Sequence, residues 1–177
     1  NIGYPCIVKP NSGSQGVGVF LVHSEAELRR ALENIFTFDR VALVQKYVSG
    51  RDYRIVVLDD TIISVYERIP LNIIGDGVST IEELLFAKQS AFASAGRDTQ
   101  INHLDERMHR KLERSGLSFN SIVNNGQKIF LLDNANLSSG GDSEDMTETA
   151  HDSFKHIAIQ LTKDMGLRLC GVDIIIS

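Results

Sequence analysis

Lys9 closes an apolar run, and directly behind it Pro10-Asn11-Ser12-Gly13-Ser14-Gln15-Gly16-Val17-Gly18 sets three glycines in G-x-x-G-x-G order. Glycine lets backbone amides approach a ligand closely, and a neighbouring lysine adds positive charge, a combination suited to the anionic oxygens of a nucleotide. The order excludes two familiar phosphate loops. A Walker A loop ends in Gly-Lys-Ser/Thr and a dinucleotide fingerprint reads G-x-G-x-x-G; both enter a helix, whereas here the strand-like run Val19 to Val22 follows. The kinase glycine loop does lie between strands, but its lysine comes later in the chain, and Lys9 comes first. What is left is a β-hairpin lid over phosphate oxygens, with a plain glycine-rich hairpin as the alternative. One cation about 4 Å from one anion, at an effective dielectric of ~20, is worth roughly 4 kcal/mol before desolvation, so a triphosphate requires further basic groups or Mg2+.

A second stretch, Leu43 to Val57 (LVQKYVSGRDYRIVV), carries polar groups of another kind. The amide of Gln45 can pair with an exocyclic amine, and the backbone at Lys46, Tyr47 and Val48 can read a purine edge. Asp52 can accept from ribose hydroxyls, with Arg54 two residues on. A polar surface turn is the other reading of the same residues. Near the far end Asp173 is a lone carboxylate inside the apolar run Gly171 to Ile176, expensive unless a cation, a hydrogen bond or a strand end relieves it. His23, His103, His109, His151 and His156 include no i, i+4 pair for a zinc site, and the last two diverge by about 140° on a helix. No Gly-x-Ser-x-Gly nucleophile elbow is present.

Strands and helices must hold these groups. Cys6-Ile7-Val8 and Val19 to Val22 read as strands, Ser24 with Glu27 as a capping box opening a helix to about Ile35, and Val41 to Val44 as a third strand. That order makes a small α/β lobe ending near Tyr47. Tyr53 to Leu58 and Ile62 to Tyr66 flank Asp59-Asp60-Thr61 as a hairpin. A capped helix is expected at Ser79 to Lys88, and the polar, weakly periodic Ser90 to Ser118 reads as a peripheral helical insert. Ile129 to Leu132 returns to strand, and Asn134 to Asp145 (NANLSSGGDSED) reads as a long loop. Thr149 to Met165 is an amphipathic helix capped by Gly166, before a last strand at Leu169 to Ile176.

The chain has 177 residues, 42% apolar and 23% charged, which is globular composition with room for one core or two small lobes. No run approaches the roughly 20 apolar residues of a membrane span. A net charge of −5, from 18 basic against 23 acidic residues, argues against a phosphate-backbone footprint, so a small-molecule partner is expected and nucleic acid is not. Cys6 and Cys170 both sit in strand-like runs and read as buried free thiols, which suits a reducing cytoplasm. Beginning at Asn1 and stopping on a strand at Ser177, the sequence reads as a piece of a longer protein.

The runs Ile7 to Pro10, Gly13 to Gly18, Val44 to Arg54, Arg68-Ile69-Pro70, Asn136 to Gly141 and Gly171 to Ile176 stand in one order, and together they resemble the ATP-grasp ligases over nearly the whole chain. The resemblance is strongest to the glutathione synthetase and cyanophycin synthetase branches, which carry similar GDG…TI.EL and NLS.GGDS.D.T segments. It implies an α+β fold of two α/β lobes with mostly antiparallel sheets and ATP bound between them. Residues 1–47 would be the nucleotide-binding small lobe, and 48–177 the central catalytic lobe with a helical insert at about 86–128. Lys9 would contact the phosphates beneath a lid of Gly13, Ser14, Gln15, Gly16 and Gly18; Gln45 and the backbone of Lys46, Tyr47 and Val48 would hold adenine, and Asp52, with Arg54 nearby, the ribose. Arg68 would face the γ-phosphate or the reacting carboxylate, and Asp173 would hold Mg2+. Asn136, Gly140 and Gly141 would shape the acyl-phosphate site, where glycine amides can stabilise an oxyanion.

Two departures accompany the likeness. Asp133-Asn134-Ala135 stands where glutathione synthetases place an arginine before the N-L-x-x-G-G run, and further Mg2+ ligands, spaced E-x-N, would follow Asp173 on the next strand. The function implied is an ATP-dependent carboxylate-amine ligase that forms an amide through an acyl phosphate, with ATP, two Mg2+ ions, a small carboxylate and an amine as partners. The alternatives are an amino-acid or dipeptide ligase of the same superfamily, or an ATP-binding module without turnover.

Overall fold

Every second residue of Cys6–Pro10 turns inward, so β1 buries Cys6, Val8 and Pro10 and leaves Ile7 and Lys9 on the other face. The computed structural model describes residues 2–13 and 16–177; Ser14 and Gln15, expected in the lid, lie outside the described residues. β1 is central in an antiparallel sheet ordered β2-β1-β3, with β2 at Phe20–Val22 and β3 at Ala42–Lys46. Between the last two runs helix α1 (Glu25–Ile35), capped by Ser24, whose Oγ accepts from the amide of Glu27 at 3.3 Å. Glu27 in turn accepts from the amide of His23 at 2.9 Å, a capping box displaced by one residue from the expected form. Cys6, Val8, Val22, Ala31 and Ile35 close the core beneath this sheet.

The expected hairpin is present as β4 (Arg51–Leu58) and β5 (Thr61–Ile69). It forms the middle of a second antiparallel sheet, β8-β5-β4-β9, with β8 at Asp142–Asp145 and β9 at Leu169–Ile176. Tyr53, Ile55, Val57 and Val65 line one face and pack against Ala158 of α4 (Asp152–Asp164). Side chains alternate, so Asp52, Arg54, Arg68 and Asp173 come to the other face.

Leu71, Ile73, Ile81, Leu85, Met108, Leu112 and Leu131 make a third core. It is built from the pair β6 (Asn72–Ile74) and β7 (Lys128–Phe130) with α2 (Ile81–Ser94) and α3 (Glu106–Arg114). Thr80 opens α2 with a reciprocal capping box, Glu83 N donating to Thr80 Oγ1 at 3.2 Å and Thr80 N to Glu83 Oε2 at 2.8 Å.

Four expectations change. The stretch read as a peripheral insert contributes Phe92, Ile101, Met108 and Leu112 to a core, so it is packed structure. β6 was not foreseen. Part of the expected loop Asn134 to Asp145 is strand β8, which owes its place to backbone pairing with β5. Lastly, the chain divides into Asn1–Tyr47 with Pro70–Gly141 and Val48–Ile69 with Asp142–Ser177, where 48–177 was expected to be one lobe. Ile69 and Asp142 are paired neighbours, so 70–141 leaves and rejoins the second unit at one point and folds on its own core.

All strand pairs among the described residues are antiparallel, giving the expected α+β class. No helix among them is long and apolar enough to cross a membrane. Cys6 is buried and Cys170 half-buried, both free.

Candidate functional site

On the face of the larger sheet away from α4, Asp52 lies directly opposite Arg68 in the β4–β5 register, and Arg54 opposite Asp173 in β4–β9. Asp52 and Arg54 are two residues apart on one strand, so both pairs meet on one surface. Arg68 donates from Nη2 to Asp52 Oδ1 at 2.6 Å and lies 3.2 Å from Asp173 Oδ2. Arg54 grips Asp173 with both prongs, Nε to Oδ1 at 2.7 Å and Nη2 to Oδ2 at 2.9 Å.

The two carboxylates are perturbed in opposite directions. Burial pushes Asp52 up; the hydrogen bond and charge of Arg68 offset only part of this, and the charge of Asp173 adds to it. At Asp173 burial also pushes upward, but the Arg54 hydrogen bond and the charges of both arginines outweigh it and hold the carboxyl below its ordinary range. The same bond to Asp173 raises Arg54. Guanidiniums oriented in this way are of the side-chain type that suits phosphate or carboxylate oxygens, and here each is already paired with Asp52 or Asp173.

No group of three His, Cys, Asp or Glu stands together among the described residues, so they offer no all-protein metal cage. A lone carboxylate such as Asp173 would serve only the other kind of Mg2+ site, in which one or two carboxylates act with phosphate oxygens and water, and in this arrangement both its oxygens are held by Arg54 and Arg68.

In the first unit, Gln45 lies opposite Ile7 and Lys9 opposite Leu43, which puts Lys9 and Gln45 on the sheet face away from the α1 core. Gln45, Lys46 and Val48 are exposed and Tyr47 is half-buried. A cavity of about 400 Å3 opens beside β2, with Leu21, Tyr47, Arg30, Arg107 and Arg114 among its walls. Lys9 and Gln45 do not line it.

The glycine-rich loop is held at Ser12 and at Gly16. Asp39 Oδ2 accepts from the amide and hydroxyl of Ser12 at 2.8 and 2.7 Å, and these bonds lower its carboxyl to about 2. Gly16 has φ +75°, and a Cβ there would lie 2.8 Å from Asn134 Nδ2 and 3.0 Å from Asn136 Oδ1, so glycine is required both by conformation and by close approach. Its carbonyl accepts from Arg107 Nη1 at 2.8 Å.

Asn136 to Gly141 folds around a 3-10 turn at Leu137–Ser139. The amides of Gly140 and Gly141 already donate within this loop, to Leu137 O and Asn136 O, each at 3.1 Å. Neither is therefore presented to an oxyanion in this arrangement, contrary to the expected role. Arg97 is a residue the sequence reading missed: its Nη2 donates to Leu137 O at 2.7 Å and Gly141 O at 2.5 Å, and its guanidinium lies 3.9 Å from the Phe92 ring centre. Arg107 was missed too. Their loop partners are 40 or more residues away, beyond any local pattern.

Antiparallel sheets of three and four strands, the larger carrying two carboxylates and two guanidiniums on the face away from α4, belong to an ATP-grasp domain, the fold shared with the solved structures described below. The chain belongs to the D-ala D-ala ligase C-terminus family, whose sequence profile matches residues 1–131. It is similar to the glutathione biosynthesis bifunctional protein GshAB of Clostridium perfringens, 36% identical over 177 residues, covering 97% of this chain and 23% of that protein. It is likewise similar to the cyanophycin synthetase of Trichormus variabilis, 35% identical over 177 residues, with 98% and 20% covered. Among solved structures, a bifunctional glutathione synthetase from Pasteurella multocida matches with a TM-score of 0.61 at 35% identity, over 97% of this chain and 24% of that one. A D-alanine–D-alanine ligase from Bacillus anthracis shares the fold, with a TM-score of 0.53 at 14% identity, over 99% and 41%. The chain thus spans about a quarter or less of the length of these curated relatives.

Proposed function

We propose that this chain is the nucleotide-handling part of an ATP-dependent carboxylate-amine ligase of the glutathione synthetase or cyanophycin synthetase kind. The observation that carries the reading is the array Asp52–Arg68–Asp173–Arg54, an oriented pair of guanidiniums on a rigid sheet face.

In the proposed reaction an oxygen of the substrate carboxylate attacks the γ-phosphorus of ATP and ADP leaves, giving an acyl phosphate. An amine nitrogen then attacks the acyl carbon, loses its proton and expels inorganic phosphate, leaving an amide. Positioning and electrostatics suffice for both steps, without a nucleophilic side chain. Arg68 meets the developing charge on the γ-phosphoryl group or the carboxylate. Lys9 and the Gly13 to Gly18 lid bind phosphate oxygens. Gln45 and the Lys46 to Val48 backbone hold adenine, while Asp52, which also orients Arg68, takes the ribose with Arg54 beside it. Asn136 borders the acyl site, and the two following glycines shape its loop. Asp173 is the proposed Mg2+ ligand, and two such ions in the complete enzyme supply neutralising charge to the phosphates. The free thiols suit the cytoplasm, where we place the protein.

Calorimetric titration with Mg·ATP tests the nucleotide part: the parent binds, and Lys9→Ala and Asp52→Ala bind at least tenfold more weakly, about 1.4 kcal/mol each. Equal binding by all three removes the assigned site. ADP release by the complete protein, measured across a panel of amino-acid and peptide carboxylates with amines, tests the reaction. Binding with no release for any pair would favour a module without turnover.

A further inference from the structure

We propose that Arg107 is the positioning residue of the glycine-rich loop, tying it at Gly16 to α3 and to the Asn134–Asn136 segment. The guanidinium is fixed on one side by Asp105, with Nε to Oδ1 at 3.0 Å, Nε to Oδ2 at 3.1 Å and Nη2 to Oδ2 at 2.6 Å. Asp105 is itself immobilised as the N-cap of α3, its Oδ1 accepting from the amide of Arg107 at 2.9 Å. Both side chains are mostly buried, 21% and 16% exposed. With its planar fork locked in this way, the arginine presents Nη1 outward.

Nη1 meets the carbonyl of Gly16 at 2.8 Å, 91 residues away in sequence, and Asn134 Oδ1 at 3.5 Å. An ionised donor on a neutral carbonyl is a strong hydrogen bond, and here it is largely shielded from water. Asn134 then passes the constraint on, its Nδ2 donating to Asn136 Oδ1 at 3.1 Å and Ser139 Oγ at 3.3 Å. The same two asparagines leave no room for a side chain at Gly16, where a Cβ would lie 2.8 Å from Asn134 Nδ2 and 3.0 Å from Asn136 Oδ1. One guanidinium therefore joins the glycine-rich loop to the Asn136–Gly141 loop, and both loops take their position from the segment once read as a peripheral insert. Insofar as the loop binds ATP, which is the reading proposed above, Arg107 sets nucleotide affinity without touching the nucleotide.

Hydrogen exchange at the amide of Val19, which donates to Gly16 O at 3.3 Å, reads the tether directly in the complete protein without nucleotide. Arg107→Ala is expected to raise that exchange about tenfold, the equivalent of one charge-assisted hydrogen bond, while α4 keeps its rate. Arg107→Lys restores part of the protection, because an ammonium reaches Gly16 or Asp105 but lacks the fork. Asp105→Asn keeps a good helix cap yet frees the guanidinium, and falls in between. With Mg·ATP the alanine variant shows a KM for ATP raised about tenfold and a smaller change in kcat. Unchanged exchange in Arg107→Ala, or an equal rise throughout α3 and the loop in every variant, overturns the proposal. If the loop loosens but the parent never binds Mg·ATP, the tether stands and the nucleotide reading falls; if ATP binds and neither exchange nor KM responds to Arg107→Ala, the reverse holds.

Discussion

Asp52 and Arg68 face each other across the β4–β5 hairpin, joined by a 2.6 Å hydrogen bond, with the arginine side chain only 12% exposed. Arg68 is thus oriented before any ligand arrives. Removing Asp52 leaves it Asp173 Oδ2, 3.2 Å away, as its remaining carboxylate. Breaking one half of a mostly buried charged pair leaves the other half poorly solvated. Asp52→Ala is therefore expected to lower the unfolding free energy by about 2 kcal/mol, and Asp52→Asn by less because its amide oxygen still accepts. Urea unfolding measures both, and a loss below about 0.5 kcal/mol for the alanine variant would mean that Asp173 takes over Arg68 completely.

Arg97 is expected to govern the Asn136–Gly141 loop. It holds two carbonyls of that loop and stacks over Phe92, so Arg97→Ala removes charge-assisted hydrogen bonds together with a cation–π contact. The expected loss is about 2–3 kcal/mol, with faster hydrogen exchange at residues 139–141. Arg97→Lys recovers less than half, since an ammonium cannot lie flat on the ring and reach both oxygens. A melting temperature within one degree of the parent for both variants would exclude this role.

Elements whose signal is local were legible. The alternation in Cys6–Pro10, the Ser24 cap and the turn residues at Asp59-Asp60 each act within a few positions, and β1, α1 and the β4–β5 hairpin follow from them. The lone Asp173 announced that it needed a partner. That the partner is Arg54 depends on the register of β4 with β9, residues 119 apart, which no local pattern encodes. β8 was missed because Asp142-Ser143-Glu144-Asp145 has no strand-forming side chains and sits at a sheet edge, where backbone pairing alone suffices. α3 was misjudged because its nine residues carry only Met108 and Leu112 as apolar groups, an i, i+4 pair hidden among charges.

Met108 separates a packed segment from a peripheral one. Its side chain is 1% exposed within the core of α2, α3, β6 and β7, so Met108→Ala is expected to cost about 3 kcal/mol. Leu104, two residues before the start of α3 and 84% exposed, is the control: Leu104→Ala is expected to change stability by less than about 0.5 kcal/mol. Denaturant midpoints that fall equally, or do not move, in the two variants would return 86–128 to the periphery.

Asp39 makes the stem of the glycine-rich loop sensitive to acid. The Ser12 amide and hydroxyl, with the amide of Val41, lower its carboxyl from an ordinary 3.8 to about 2. A carboxyl whose folded value is depressed contributes stability above its unfolded value and loses it as pH falls through the folded one. The tether is therefore complete above pH 3.8 and lost as pH approaches about 2, a window that closes well below neutrality. Ser12→Ala removes the hydroxyl bond but keeps the amide bond, so Asp39 is expected to titrate between those two values. A carboxyl NMR titration reads this directly: the variant's Asp39 titrates at higher pH than the parent's, and Ser12 exchange quickens at the lower end of the window. An Asp39 titration unmoved by Ser12→Ala would show that the amides alone set the carboxyl and that the hydroxyl contributes nothing to holding the stem.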